Sequence, residues 1–299
     1  LNVQNFTTAT DSHNTAVGHS AGASVTTGTL NTLMGSRAGD ALTTGEQNTA
    51  YGFQALSADD VGNHSTAIGQ NALASQNFAT STDSNNTAVG HDAGAAVTTG
   101  TLNTFIGAFA GDALTTGTSN AVLGYAALST DNVGNFSTAI GHGALNAQNY
   151  TGSTDGYNTA VGAKAGELVT TGTRNTLIGS QAGDALTDAD FNVSLGYQSL
   201  SSDTLGSKTV AIGTGALFTQ NFTTATDSFN TAVGHDAGAA VTTGQYNTFL
   251  GGQAGDATTS GNNNVAIGYE SFTTNILSDR NVAIGNFALA THNQASSID

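Results

Sequence analysis

The chain has 299 residues, including 39 glycines but no proline or cysteine, and 21 acidic residues against 5 basic ones give a net charge of −16. Without a basic face it cannot neutralise phosphates, which excludes a nucleic-acid-binding protein. Without cysteine it has neither disulfides nor a cysteine-based metal site. No apolar run approaches the length of a membrane-spanning helix, so we expect no membrane insertion.

A five-residue unit recurs along the whole chain: Asn, usually Thr, two apolar residues and then Gly. Its glycines are Gly18, Gly35, Gly52, Gly69, Gly90, Gly107, Gly124, Gly141, Gly162, Gly179, Gly196, Gly213, Gly234, Gly251, Gly268 and Gly285. Their spacing reads 17, 17, 17, 21 and then repeats, so sixteen units form four super-repeats of 72 residues. Internal repeats of this kind are typical of solenoids.

Seventeen residues are too few for a packed pair of helices, and Gly, Thr and Asn are poor helix formers. The repeat therefore predicts an all-β fold, a parallel β-solenoid or β-roll of about sixteen coils of 17–21 residues. Each Asn-Thr-Ala-Val-Gly unit is the expected strand, and its glycine permits the turn that ends it. Each coil then contacts only its neighbours.

The register predicts a single continuous solenoid over residues 1–289, with super-repeats at about 1–72, 73–144, 145–216 and 217–288. The remaining stretch, 290–299, is a divergent partial repeat at the C-terminus. Both ends fall part-way through a super-repeat, as expected for a segment of a longer repetitive protein.

Asn begins the unit in thirteen of the sixteen coils, and the exceptions are Ser65, Ser137 and Thr209. Stacked Asn side chains can form hydrogen-bonded ladders, so we interpret this column as structural. The structural repeat residues, in the first coil of each super-repeat, are Asn14, Gly18, Asn86, Gly90, Asn158, Gly162, Asn230 and Gly234.

Two neighbouring apolar residues precede each glycine, as in Ala16 and Val17. Adjacent strand residues point to opposite faces, so both faces of the strand are apolar. One face can fill the coil interior, and the other also needs cover. Self-association with closed symmetry is the simplest cover, which predicts a homo-oligomer. The alternative is a wider monomeric coil with a flattened two-layer core.

The repeated unit resembles the left-handed parallel β-roll of YadA-like trimeric autotransporter adhesin heads, which repeat a motif close to Ser-Val-Ala-Ile-Gly. The matching stretches are 281–285, 264–268 and 65–69. The longer segment 103–117 is also similar to repeats in phage tail fibres and large bacterial surface proteins. Membership would imply a trimer.

The stretch Gly18-His-Ser-Ala-Gly22 matches the G-x-S-x-G turn that presents a nucleophilic serine in many hydrolases. At the positions equivalent to Ser20 the later super-repeats carry Asp92, Lys164 and Asp236. The glycines and the alanine belong to the repeat, while the serine position varies. Because a nucleophile elbow also needs a strand-to-helix turn, we interpret the chain as a non-enzyme with no catalytic residue and no cofactor.

Metal binding has two weak candidate sets. His19, His91, His142 and His235 each follow a repeat glycine, but they lie several coils apart and form no cluster in one chain. Asp11, Asp83, Asp155 and Asp227 lie in or beside the four-residue insertions, where exposed loops can bind Ca²⁺ or a receptor. No twelve-residue calcium-loop signature accompanies them.

These features favour a structural and adhesive segment of an extracellular fibrous protein, on a cell surface or a virion. Its expected partners are copies of itself, with a host receptor, matrix or surface glycan as further candidates. A phage tail-fibre shaft or receptor-binding segment is the first alternative. Thr-Thr-Gly triplets such as 98–100 leave an ice-binding solenoid as the second, although the triplet occurs only in the first two coil types.

Overall fold

A computed structural model describes residues 4–291. They form two compact units that divide between Asp155 and Gly156. Of the predicted C-terminal partial repeat, residues 292–299 lie outside the described part of the chain. Within residues 4–291 no helix is long and apolar enough to span a membrane.

The first unit contains twelve short strands. They are β1 (Thr15–Val17), β2 (Thr32–Met34), β3 (Thr49–Tyr51), β4 (Gly62–Asn63), β5 (Thr66–Ile68), β6 (Thr82–Asp83), β7 (Thr87–Val89), β8 (Thr104–Ile106), β9 (Ala121–Leu123), β10 (Gly134–Asn135), β11 (Thr138–Ile140) and β12 (Thr154–Asp155). The eight three-residue strands form a parallel sheet in the order β1-β2-β3-β5-β7-β8-β9-β11. The pairs β4–β6 and β10–β12 are separate parallel ladders next to the insertions.

The second unit repeats this arrangement with ten strands. They are β13 (Thr159–Val161), β14 (Thr176–Ile178), β15 (Val193–Leu195), β16 (Gly206–Ser207), β17 (Val210–Ile212), β18 (Thr226–Asp227), β19 (Thr231–Val233), β20 (Thr248–Leu250), β21 (Val265–Ile267) and β22 (Val282–Ile284). Its parallel sheet has the order β13-β14-β15-β17-β19-β20-β21-β22, and β16 pairs with β18. The prediction of an all-β parallel solenoid of about sixteen turns is confirmed, with eight turns in each unit.

The strands pair in the register that the sequence repeat dictates, with each residue opposite its equivalent one coil later. Ala88 lies opposite Phe105, for example, and Phe105 lies opposite Val122. The strands end at glycine because the next backbone conformation is open only to glycine. At Gly90, φ is +144°, and an added Cβ would lie 2.4 Å from the carbonyl oxygen of Gly107 in the following coil.

The core is narrow and consists of three kinds of side chain. The middle residue of each strand points inward, as Ala88, Phe105 and Val122 do. The small residue three positions after each repeat glycine also packs inside, whether it is alanine or, at Ser199 and Ser271, serine. Larger side chains complete the core. In the first two coil types they are Val25, Leu42, Val97, Leu114, Val169, Leu186 and Val241, and in the third and fourth they directly follow the small residue, at Leu56, Leu73, Leu128, Leu145, Leu200, Leu217 and Phe272.

Candidate functional site

The repeated Asn side chains bridge consecutive coils through the backbone. Asn103 is fully buried, its Oδ1 accepts a hydrogen bond from the backbone N–H of Asn120 at 2.9 Å, and its Nδ2 donates to the carbonyl oxygen of Gly117 at 2.9 Å. The same pair of contacts recurs at Asn31, whose partners are Asn48 and Gly45. Direct side-chain bonds such as Asn120 to Asn103 supplement this ladder. Each Asn therefore satisfies backbone groups that the turn geometry leaves unpaired.

The coils that lack Asn replace it with a buried polar network. Around Ser65, the amide Nε2 of Gln76 donates to the Ser65 hydroxyl at 2.7 Å and to Asp59 Oδ2 at 2.6 Å. Asp59 Oδ1 accepts from the Gly62 N–H at 2.9 Å, and the Gln76 Oε1 accepts from Asn86. Burial raises the pKa of Asp59, and hydrogen bonds from Gln76 and Gly62 oppose that shift. Asp203, Gln220 and Thr209 form an equivalent network in the second unit.

One face of each strand sheet is apolar and exposed. The residue before each repeat glycine points away from the core, as Tyr51, Ile106 and Leu123 show in the first unit and Leu195 and Leu250 in the second. Threonine or valine at the start of the strand shares this face. Within the described residues the side chains before the glycines on this face are exposed or half-buried.

Aromatic rings extend the apolar face at the turn that follows the strands. Phe53, Tyr125, Tyr197 and Tyr269 occupy the same position in their super-repeats, directly after the repeat glycine, and all are exposed. In the first unit Tyr125 contacts Phe109 edge-on at 5.7 Å between ring centroids and stacks on His142 at 5.4 Å. These rings widen the surface available for contact with another molecule.

Ser20 lies in a turn of the first coil with φ of +57°, and its hydroxyl is 3.3 Å from Nδ1 of His19. The strand before this turn continues into further turns and the next strand, β2. Ser20 thus occupies the same position in its coil as Asp92, Lys164 and Asp236, which also have positive φ. The local geometry is that of the solenoid turn.

The four candidate calcium-binding aspartates have separate surroundings. Asp83 and Asp155 each accept a hydrogen bond from an Asn amide at 3.1 Å, and Asp227 forms a 2.5 Å ion pair with Lys208. Asp11 is exposed. Within residues 4–291 no three His, Asp or Glu side chains are grouped so that they could hold a metal ion. Calcium binding by these residues stays a prediction.

A column of large exposed side chains lies immediately before the Asn column, and the sequence analysis missed it. In the second unit this outer column comprises Tyr157, Arg174, Phe191, Lys208, Phe229, Tyr246, Asn263 and Arg280. Three of the five basic residues of the chain fall in it. Arg174 lies over Tyr157 and Phe191 at 5.7 and 5.4 Å from the ring centroids, and Lys208 lies over Phe229 at 5.2 Å. The signal was available, because these residues share the 17- and 21-residue spacing of the glycines.

The outer column is exposed because its backbone is left-handed. Every member has φ between +48° and +60°, although none is glycine. In this conformation the side chain points out of the coil, while the next residue, usually Asn, points in. The same column in the first unit carries fewer aromatic rings, with Leu30, Leu102 and Phe136 as its exposed apolar members.

No protein-family model matches this sequence, and the comparison with curated proteins found no match.

Proposed function

We propose that this chain is a segment of an extracellular fibrous protein that self-associates through its apolar strand face and adheres to cells or surfaces. The observation that carries the proposal is the exposed apolar face, which recurs on coil after coil within each unit. A repetitive β-solenoid is compatible with such a structural role, since each coil supports its neighbours and length is gained by repetition. The chain acts by binding, without catalysis.

Self-association is the simplest cover for this face. Identical patches on identical chains meet readily under closed rotational symmetry. The residues before the glycines are apolar, such as Ile106 and Leu123, the residues that start the strands are mostly threonine, and neither set includes a charged residue. This composition favours a buried contact over a hydrated surface. The resemblance to trimeric adhesin heads suggests three chains, each covering its apolar face against two others.

An extracellular position agrees with the composition. The chain has no cysteine, so it needs no redox compartment, and its net charge of −16 keeps a long repetitive surface soluble. The proposed partners are further copies of this chain and a receptor, matrix component or glycan on the surface to which it adheres. The analogy at the level of fold supports the adhesive part of the proposal.

Two matched substitutions in one coil test the self-association. Ile106→Glu places a charge on the apolar face, whereas Leu102→Glu places it on the outer column, where the side chain is even more exposed. We expect the wild-type chain and Leu102→Glu to sediment at three times the 29.7 kDa chain mass and Ile106→Glu to dissociate. Self-association would be refuted if the wild-type chain sediments as a monomer at micromolar concentration and its circular dichroism spectrum is the same as that of Ile106→Glu.

Adhesion is tested separately with beads that display the chain. We expect them to attach to cell layers or matrix-coated surfaces more than beads that display an unrelated β-solenoid. Equal attachment of the two would contradict the adhesive role.

A further inference from the structure

The second unit contains a surface cavity beside the outer column. Its volume is about 620 Å³, within the range of small-ligand sites. It is lined by Asp188, Asp190, Ser207, Ala225, Thr226, Asp227, Gln245 and Tyr246. These residues come from four consecutive coils and from the insertion next to β18.

The cavity arises where the third super-repeat departs from the first. In the first, Asn63 bridges the coils: its Oδ1 accepts from the Glu46 N–H, and its Nδ2 donates to Ser81 and Asp83, both at 3.1 Å. The equivalent residue in the third is Ser207, whose hydroxyl keeps only the first of these contacts, to the N–H of Asp190 at 3.0 Å. The equivalent of Ser81 is Ala225. Two shorter side chains therefore open the space that the Asn63 amide fills.

Tyr246 forms one side of this opening. Tyr246 lines the cavity and stacks on Phe229, with ring centroids 5.5 Å apart and an interplanar angle of 14°. Both rings are about half exposed, at 51% and 46%. The equivalent residues of the second super-repeat are Leu102 and Asn85, so this pair is also a departure from the repeat. Phe229 contacts Lys208 as well as Tyr246, so the exposed part of Tyr246 is the aromatic surface that the cavity offers to a ligand.

Hydrogen-bond acceptors form the rest of the lining. Thr171 donates to Asp188 Oδ1 at 2.6 Å, the Thr173 N–H donates to Asp190 Oδ1 at 2.6 Å, and Lys208 pairs with Asp227 Oδ2 at 2.5 Å. These bonds use one oxygen of each carboxylate, and an ionised carboxylate can accept about four. The side chain of Gln245 adds both a donor and an acceptor.

We propose that this cavity binds a neutral carbohydrate chain. A pyranose ring has one face rich in C–H groups, which packs on an aromatic ring, and a rim of hydroxyls, which donate to carboxylates and amides. Tyr246 supplies the first surface, and Asp188, Asp190 and Gln245 supply the second. The column continues to neighbouring coils at the strand spacing of about 4.8 Å, so an extended glycan can follow it.

The charges of the lining select against other ligands. Three carboxylates surround the cavity, and the Lys208 ammonium beside them is paired with Asp227. An anionic glycan would therefore meet net repulsion. A peptide partner needs buried apolar anchors, and the lining offers only Tyr246 and the small Ala225 as apolar contacts.

This inference deepens the proposed adhesive function and rests on it for its biological role, since it names the ligand class of the adhesive surface. Sugar binding itself is inferred only from the residues that line the cavity. Its failure is therefore distinguishable: a chain that forms trimers and adheres but binds no sugar refutes only this inference. A chain that binds sugar but is monomeric and does not adhere refutes only the proposed function.

The test is saturation-transfer NMR on the full chain with three neutral hexasaccharides, of cellulose, maltose and galactan type, and a heparin-derived hexasaccharide as the anionic probe. We expect saturable binding of at least one neutral probe, with transfer to the ring C–H protons. Ser207→Asn should abolish it by restoring the bridge seen at Asn63. Tyr246→Leu should weaken it about tenfold, the equivalent of one lost aromatic contact.

Both variants introduce a residue that the same coil position already carries in the first super-repeat, so they should fold. Unchanged sedimentation and circular dichroism check this. Leu102→Ala, at the position equivalent to Tyr246, is the matched control and should leave binding unchanged. The proposal is overturned by no neutral binding, by neutral binding that survives both variants, or by preferential binding of the heparin-derived probe.

Discussion

Replacement of one buried ladder residue, Asn103→Ala, should destabilise the first unit strongly. The substitution removes the acceptor of the Asn120 N–H and the donor to the Gly117 carbonyl, both at 2.9 Å. Water cannot replace these hydrogen bonds, since Asn103 is fully buried and Asn120 is nearly so. The alanine side chain has no polar atom to replace them.

The expected loss follows from these two orphaned groups. A buried donor or acceptor left without a partner costs about 1–3 kcal/mol, so the pair costs about 2–6 kcal/mol. The lost packing of the Asn side chain adds to this figure. Asn132→Ala is the matched control, because Asn132 is an exposed turn residue two coils away, and exposed substitutions usually change stability by less than about 0.5 kcal/mol.

Urea unfolding followed by circular dichroism measures the difference at a fixed protein concentration, so that self-association affects all samples equally. Hydrogen exchange of the neighbouring coils shows whether the loss is local, as expected when each coil contacts only its neighbours. A loss below about 1 kcal/mol with an unchanged denaturant slope would refute the reasoning, because the Asn column would then carry no unique backbone contacts.

Two further substitutions test the turn and the buried acids. Gly90→Ala should destabilise the fold by several kcal/mol, because the added Cβ would lie 2.4 Å from the Gly107 carbonyl oxygen. Gly152→Ala should be tolerated, since nothing lies within 4 Å of an added Cβ there. Equal melting temperatures of the two variants would contradict this prediction. Burial raises the pKa of Asp112 above its ordinary value of 3.8, and its Oδ1 has no hydrogen-bond partner among the described residues. The folded state therefore holds this proton more tightly than the unfolded state, and its contribution to stability is lost as pH rises from 3.8 through the folded pKa. Asp112→Asn should raise the melting temperature at pH 7, and the gain should shrink as pH falls toward 3.8; a gain that does not change with pH would show that the carboxylate charge is not the cause.

The sequence predicted the repeat architecture closely because it rests on spacing alone. A glycine every 17 or 21 residues fixes the length of each coil, and the residues before it fix the strand. The same pattern predicted that neighbouring strand residues, such as Ala88 and Val89, lie on opposite faces of the strand. The buried network of the fourth coil was harder to predict, since Ser65, Gln76 and Asp59 are not neighbours in sequence and no local sequence rule predicts their contacts.

The cavity and the outer column were not predicted from the sequence. Positive φ is usually assigned to glycine or asparagine, so nothing marked Phe229 and Tyr246 as left-handed residues that point outward. Their conformation is imposed by the stacked coils on either side, which hold every member of the column in one backbone geometry. Ser207 and Ala225 were visible as departures from the repeat, but a missing amide becomes a cavity only when four coils are stacked.

The order of residues within one repeat was thus enough to predict the β-solenoid, the length of its coils, the structural role of the Asn column and the two apolar sides of each strand. Only the tertiary structure decided which apolar side stays exposed and where a ligand-sized cavity opens. Those properties depend on contacts between coils, and the turns that direct side chains inward or outward are set by that stacking.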